Sequence, residues 1–295
     1  MHAISVGEVL WDVVGSEEHL GGAPFNFAAH LSRLGHAVSF VSSVGQDSRG
    51  DRVLDRMRDL GLSSRYVARN AAYPTGVASV TVDDRGQPTF VIRHPAAYDF
   101  PQLSAQQTAE LGSSSPAFIY FGTLCQMSRQ ARKLLFDLLE LLPRASRFYD
   151  VNLRPNSYEP ELVRELMQRA NVIKLNEDEV GSISAAFDWP RYSLEEFCRT
   201  GVNEFGWEVA CITRGAQGCV VWMDDQYIAA EGYGIAVHDT IGAGDAFSAA
   251  LVHGLANRWS PNEIADFANR VGALVASRSG AIPSWTVEEA VGLRR

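Results

Sequence analysis

Asp239-Thr240-Ile241-Gly242-Ala243-Gly244-Asp245-Ala246-Phe247 is the stretch that decides how this chain is read. Two glycines flank one alanine, so consecutive backbone N–H groups can approach a ligand with almost no side chain in the way. The residues that follow, from 245 to about 257, are rich in Ala and Leu and read as a helix. A glycine turn opening a helix is an anion site, because unpaired N–H groups and the positive end of the helix dipole converge there. Into that site the sequence puts a carboxylate, Asp245. A carboxylate repels an anion unless its task is to take a proton from the group attacking that anion. The layout is that of phosphoryl transfer from a nucleotide to a hydroxyl, with Asp245 as base and the amides of Gly242, Ala243 and Gly244 around the transferring group. Taken alone, the same residues also describe a strand end whose Asp245 caps a helix, since Asp is a favoured N-cap. Other phosphate-binding patterns are missing. No Gly-x-x-x-x-Gly-Lys-Ser/Thr occurs, and Gly242-x-Gly244 lacks the third glycine of the dinucleotide fingerprint.

Composition narrows the class. The chain has 295 residues, a net charge of −9, 46% hydrophobic and 21% charged side chains. That balance predicts a sizeable core in one large α/β unit with little disorder. The acidic excess argues against nucleic acid or an anionic membrane as partner, so a polyphosphate must be held by dipoles, a few basic residues and a metal ion. Cys125, Cys198, Cys211 and Cys219 show no Cys-x-x-Cys spacing, and reduced, buried thiols are expected. Met1-His2-Ala3-Ile4-Ser5-Val6 lacks the basic start and apolar core of a signal peptide, and no apolar run reaches membrane-spanning length. A cytoplasmic location is expected.

Short apolar runs alternate with amphipathic stretches, the pattern of βαβ units and a mainly parallel sheet. Buried strands are predicted at 3–6, 37–41, 118–121, 148–151, 172–174 and 209–213. Helices are predicted at 26–34, 49–60, 128–142, 161–170 and 262–277, with Leu34-Gly35 and Leu60-Gly61 as C-terminal stops. One region breaks the rhythm: 76–82 and 89–93 are β-rich and joined by 83–88, which reads as a hairpin turn, and 7–14 adds an extended segment. A small sheet with no helix to cover it would close over a ligand or pair with a second subunit; a surface decoration is the plainer alternative. No repeats or linkers divide the chain.

Several segments are polar at points where strands end. Gly21-Gly22 leads into a helix with Asn26, whose amide offers donor and acceptor to a hydroxyl. Asp150-Val151-Asn152-Leu153-Arg154 follows a predicted strand, and ligands gather at the carboxyl ends of strands in open α/β sheets. Arg154 could clamp a phosphate or make a surface ion pair. The acidic run Glu177-Asp178-Glu179 is by itself the mark of a helix N-terminus.

The 239–245 stretch resembles the second signature of the PfkB (ribokinase-like) carbohydrate kinases, Asp-Thr-x-Gly-Ala-Gly-Asp, without a departure. Gly21-Gly22-Ala23-Pro24-Phe25-Asn26 resembles the first signature of that family, and Gly7-Glu8-Val9-Leu10-Trp11-Asp12 the opening of its fructokinase-like branch. The resemblance runs from Gly7 to about Ser284 and implies roles residue by residue. Asp12, Gly21, Gly22, Asn26 and Arg154 would bind the sugar, and Asp245 would be the base. Asn176 and Glu179, in an Asn-x-x-Glu motif, would hold water around Mg²⁺ and the phosphates. Thr213, Gly215 and Gly218 would lie along the nucleotide, and Asn269 and Gly272 would line the adenine pocket. Asp239, with carbonyls from 276–281, would hold a monovalent cation such as K⁺. The implied protein has a ribokinase-like three-layer α/β fold in a single domain, with a β-sheet lid from about 8–18 and 74–99. The implied reaction phosphorylates a sugar with ATP, fructose to fructose 6-phosphate first among candidates, with 2-keto-3-deoxygluconate, ribose or a nucleoside as alternatives. A non-catalytic sugar- or nucleotide-binding regulator would have lost the base or a glycine, and both are present. A homodimer sharing lid strands is the expected assembly.

Overall fold

Among the described residues thirteen strands form in the order β1 (His2–Val6), β2 (Leu10–Val14), β3 (Glu17–Gly21), β4 (Ala37–Gly45), β5 (Val67–Asn70), β6 (Gly76–Val82), β7 (Pro88–Ile92), β8 (Phe118–Gly122), β9 (Ser146–Asp150), β10 (Val172–Asn176), β11 (Val209–Thr213), β12 (Cys219–Met223) and β13 (Gln226–Ala230). The computed structural model describes residues 1–82, 88–154 and 158–294. The turn expected at 83–88 lies, apart from Pro88, outside those residues.

Nine strands make one sheet in the order β13-β12-β11-β10-β9-β8-β1-β4-β5. Pairings from β5 through β11 are parallel, and β12 and β13 are antiparallel additions at one edge. The central strands are apolar on both faces because helices cover both; every residue of β8 is buried. On one face Leu135, Leu139, Leu166 and Phe197 pack down from helices onto Ile119, Tyr149 and Ile173. On the other face the helices Ala23–Arg33, Ala243–Ala256 and Pro261–Ala276 bury Phe27, Phe247, Ala250 and Val271 against Tyr120, Phe148 and Cys211. Phe27 stacks on Tyr120 with ring centroids 3.8 Å apart, pinning the first of these helices to the sheet. All four cysteines are free and buried, as composition predicts.

The second sheet has the order β3-β2-β6-β7. β2 pairs antiparallel with β3 and parallel with β6, so the 7–14 segment and the 76–93 hairpin belong to one unit. It is not bare on both sides. Leu10 and Ala78 pack with Ala96, Tyr98, Leu124 and Cys125 in a small cluster of their own.

Among the elements the sequence pattern did not announce, the β12–β13 hairpin and β3 form for identifiable reasons. β12 and β13 are joined by Asp224-Asp225, both with positive φ (52° and 57°), so the hairpin turns without the glycine that usually marks it. β3 reads Glu-Glu-His-Leu-Gly, a poor strand by propensity, and exists because it pairs along all of β2. The acidic run 177–179 is the first turn of the helix Glu177–Ala186, closed by a capping box between Asn176 and Glu179.

Candidate active site

Parallel neighbours in the large sheet finish almost level. Val6 lies opposite Phe121, Gly122 opposite Asp150, Asp150 opposite Lys174, and Asn176 opposite Thr213. The segments beyond these ends therefore line one edge: Gly7–Glu8, Thr123–Gln126, Val151–Arg154, Asn176–Glu179 and Thr213–Gly218. The second sheet joins this edge through Gly7–Val9, and the glycine turn at 242–244 meets it from the helical layer.

Gly242 is the N-cap of the Ala243–Ala256 helix, with φ +75°, and a Cβ there would run into the Ala281 carbonyl. The helix N-terminus has no side-chain cap; within the turn the Ala243 N–H donates to the Thr240 carbonyl at 3.3 Å. Asp245 is not the cap. It lies in the first helical turn, 8% exposed, and its Oδ2 accepts a 2.8 Å hydrogen bond from the Asn26 amide. Burial, reinforced by the Asp150 charge, raises its pKa to about 6, against the opposing pull of Lys174, the Asn26 bond and Arg154. Such a group is ionised at neutral pH yet basic enough to accept a proton, as a general base must be.

Beneath the turn lies an ion pair that sequence reading missed. Lys174 Nζ sits 2.9 and 3.1 Å from the two oxygens of Asp150, whose Oδ2 also accepts from Tyr120 (2.9 Å) and Ser248 (2.7 Å). Burial alone would lower the Lys174 pKa, but Asp150 and Asp245 carry it above its ordinary value, so the ammonium stays charged. Its nitrogen is only 3.4 Å from where a Cβ on Gly244 would stand, directly under the anion turn. The available signal was a lysine inside an otherwise apolar buried strand, Val172-Ile173-Lys174-Leu175.

On the other side of Asp245 the proposed sugar contacts converge. A Cβ on Gly21 would lie 2.6 Å from Asp12 Oδ2, and one on Gly22 would lie 2.6 Å from the Glu8 carbonyl, so both glycines are there to let the β2 segment close in. Asp12 is half-buried; burial raises its pKa, while Arg154 and His19 oppose. Arg154 is exposed, and its charge also acts on Glu8 and Asp245.

The nucleotide-side residues are more engaged in structure than their motifs imply. Both Glu179 oxygens accept backbone bonds, from Leu153 N (2.7 Å) and Asn176 N (2.8 Å), while Asn176 Oδ1 accepts from Glu179 N (2.8 Å). Thr213 Oγ1 donates to the Leu175 carbonyl. Gly215 and Gly218 have φ +56° and +91° in the turn after β11. Asn269 donates to the Glu231 carbonyl (3.3 Å), and Gly272 packs beneath Ala243 and Phe247. Asp239 ties the catalytic turn to the loop after the last long helix, accepting from Ile241 N (2.9 Å) and Gly280 N (3.1 Å). Of the carbonyls expected near a cation there, Ala276 already accepts from His238 and Asp239 amides, and Ala281 from His30, so the free ones lie between them. Among the described residues no group of three or more His, Cys, Asp or Glu gathers as a metal site.

His30 supplies the second missed feature. It is fully buried on the same helix as Asn26, and burial lowers its pKa to about 4, so the ring is neutral. Nδ1 accepts from the Trp285 indole (3.1 Å), leaving Nε2–H to donate to the Ala281 carbonyl (2.9 Å). Since Gly242 abuts that carbonyl, one helix holds both Asp245, through Asn26, and the backing of the glycine turn, through His30.

A buried carboxylate of raised pKa, a glycine turn opening a helix with no side-chain cap, and a buried ammonium beneath that turn suit a phosphotransferase site. The profile of the pfkB family of carbohydrate kinases matches residues 4–288, and the chain belongs to that family: it is a sugar kinase. It is 29% identical over 283 residues to Fructokinase-1 of Oryza sativa subsp. japonica, covering 91% of this chain and 85% of that one. Among solved structures it superposes on the fructokinase of Xylella fastidiosa with bound ATP at a TM-score of 0.87, with 21% identity over 98% of this chain and 97% of that one. The 2-dehydro-3-deoxygluconokinase of Thermotoga maritima superposes at 0.85, with 18% identity over 99% of this chain and 98% of that one. Both structures share the ribokinase-type fold expected from the motifs.

Proposed function

We propose that the protein transfers the γ-phosphate of ATP to a hydroxyl of a sugar, with fructose to fructose 6-phosphate as the leading reaction. The observation that carries the reading is the Asn26–Asp245 hydrogen bond, which joins the two signature motifs across 219 residues of sequence and sets a raised-pKa carboxylate at the mouth of the Gly242–Gly244 turn. In this reading Asp245 takes the proton as the sugar hydroxyl attacks. The amides of Gly242, Ala243 and Gly244, with Lys174 beneath them, hold charge as it gathers on the transferring phosphoryl group. Asp12, Gly21, Gly22, Asn26 and Arg154 orient the sugar. Thr213, Gly215, Gly218, Asn269 and Gly272 border the nucleotide.

Mg²⁺ fits this site through water. Each Glu179 oxygen spends one lone pair on an amide and keeps another, enough to order the hydration shell of a phosphate-bound ion. When bound, the ion would neutralise phosphate charge. Asp239 and the backbone between 276 and 281 would hold K⁺. The second sheet acts as a lid, sealing the sugar from water that would otherwise compete as acceptor. A homodimer through the lid and a cytoplasmic location complete the reading; light scattering of the purified protein checks the dimer.

Fructose is favoured by the likeness to the rice fructokinase and by the Gly7–Asp12 opening; the Thermotoga neighbour keeps 2-keto-3-deoxygluconate as the second candidate. Coupled ADP release against fructose, ribose, 2-keto-3-deoxygluconate and nucleosides tests the assignment. The expected result is acceptor-dependent turnover highest with fructose, and turnover with none of them contradicts the reading.

A further inference from the structure

Four side chains at the β1–β8 end of the active-site edge are buried with polar atoms that pair with nothing among the described residues: Glu8 Oε2, Tyr98 OH, Asp99 Oδ1, and both Nε2 and Oε1 of Gln126. Gln126 is fully buried, and leaving both ends of an amide unmet in a protein interior is costly to the folded state. Native interiors seldom tolerate this without an occupant.

The four belong to one neighbourhood. β1 and β8 are adjacent and parallel with Val6 opposite Phe121, so the segment carrying Glu8 and the one opening at Thr123 into the short helical turn Leu124–Met127, which carries Gln126, leave neighbouring strands at the same edge. That turn is tied to the Tyr98–Asp99 turn: Cys125 Sγ donates to the Tyr98 carbonyl (3.3 Å), and Ser128 Oγ donates to the Asp99 carbonyl. Burial pushes the Tyr98 phenol up, and the Asp99 and Glu8 carboxyls push it further; the same two carboxyls act on the Cys125 thiol. Glu8 also feels the charges of Asp245 and Arg154, so the cluster reaches back to the base. Asp12 and the Gly21–Gly22 pair are already accounted for, whereas these groups have no task in the reaction as described.

We propose that Glu8 and Gln126 form an acceptor subsite that hydrogen-bonds the hydroxyls of a neutral polyol whose reacting hydroxyl faces Asp245. This rests on the sugar-kinase reading and sharpens it. A carboxamide both donates and accepts, and Tyr98 does the same, which suits hydroxyls of either orientation. A sugar acid is disfavoured. Its carboxylate would meet the carboxyls of Glu8, Asp12 and Asp99, where the charge of Arg154 already acts on Glu8 and Asp12, and His94 is bonded to Asp99 at 2.9 Å.

The test uses Gln126→Leu, Gln126→Glu and Glu8→Gln in the full chain, with steady-state KM for fructose and ATP dissociation by calorimetry. Losing two hydrogen bonds to an acceptor raises its KM roughly ten- to thirtyfold, while ATP affinity is expected to stay within about twofold. Wild-type kcat/KM is expected to be at least about tenfold higher for fructose than for 2-keto-3-deoxygluconate. Should Gln126→Leu fail to fold, as judged by its melting curve, the near-isosteric Gln126→Glu and Glu8→Gln carry the test. An acceptor KM that moves less than twofold would mean these groups touch no acceptor, and equal loss of both affinities would mean a structural role; either overturns the proposal, as does a preference for the sugar acid. A wild type that turns over no acceptor at all would instead sink the kinase reading itself.

Discussion

Replacing Asp245 with Asn keeps the shape of the side chain, lets Asn26 still donate to its oxygen, and removes the base. The sugar-dependent kcat is expected to fall by roughly two to four decades, the range for loss of a general base. The same substitution makes a separate, opposite prediction about stability. The Asp245 pKa rises from 3.8 to about 6 on folding, so the ionised group is a burden to the native state. A folded pKa above the unfolded one favours the native state fully below about pH 4, and that advantage is lost as pH rises through about 6. About two units correspond to roughly 3 kcal/mol at pH 8, which Asp245→Asn would relieve. The apo variant should therefore melt about 6 °C above wild type at pH 8, at roughly 2 °C per kcal/mol for a chain of this size. Near pH 4.5 the gain should shrink to roughly a third of that, because most of the penalty lies above that pH. Differential scanning calorimetry at the two pH values, alongside ADP-release kinetics, reads both effects. Turnover within tenfold of wild type would refute the base assignment. A variant less stable than wild type at pH 8 would refute the buried-charge argument on which its raised pKa rests.

Other outcomes follow from the same geometry. The acceptor-saturated rate should fall about tenfold per pH unit below about 6 as Asp245 is protonated, and a profile flat to pH 5 would contradict this. Lys174→Met leaves Asp150 buried with only Tyr120 and Ser248, so a stability loss of about 3 kcal/mol or more is expected, together with an upward shift of the pH optimum as Asp245 loses its nearest buried cation; an unchanged melting temperature would argue against the pairing. His30→Phe removes the donor to Ala281 and strands the Trp285 indole, so kcat should drop more than ATP affinity, with partial recovery in His30→Gln; equal effects of the two substitutions would count against a positioning role. Asp12→Ala should raise the sugar KM about tenfold with ATP binding nearly intact, and parallel loss of both would move Asp12 out of the sugar site.

The alternation of apolar runs and amphipathic stretches announces the parallel sheet, because strands covered on both faces must be apolar throughout. What escapes is whatever depends on a partner distant in sequence. β3 has no strand propensity of its own, and the Asp224-Asp225 turn bends with residues that only tolerate positive φ. In the site, motif residues such as Asn26, Gly242 and Asp245 are visible because backbone approach and proton transfer demand particular residue types at particular spacings. Lys174, His30, Glu8 and Gln126 follow no local spacing. Each takes its meaning from its neighbours across the fold, as when Trp285 fixes which nitrogen of His30 donates. The cap reading of Asp245 illustrates the same limit: local preference allows it, and only the position of Gly242 against Ala281 places the cap three residues earlier.

The central claim is that this site moves the γ-phosphate of ATP onto a sugar hydroxyl with Asp245 as base. Phosphorus NMR of a reaction containing ATP, Mg²⁺ and fructose follows that phosphate directly. One fructose 6-phosphate is expected for each ADP formed, with the product signal suppressed at least a hundredfold in Asp245→Asn. Release of inorganic phosphate in place of a sugar phosphate, or equal product from the variant, would contradict it.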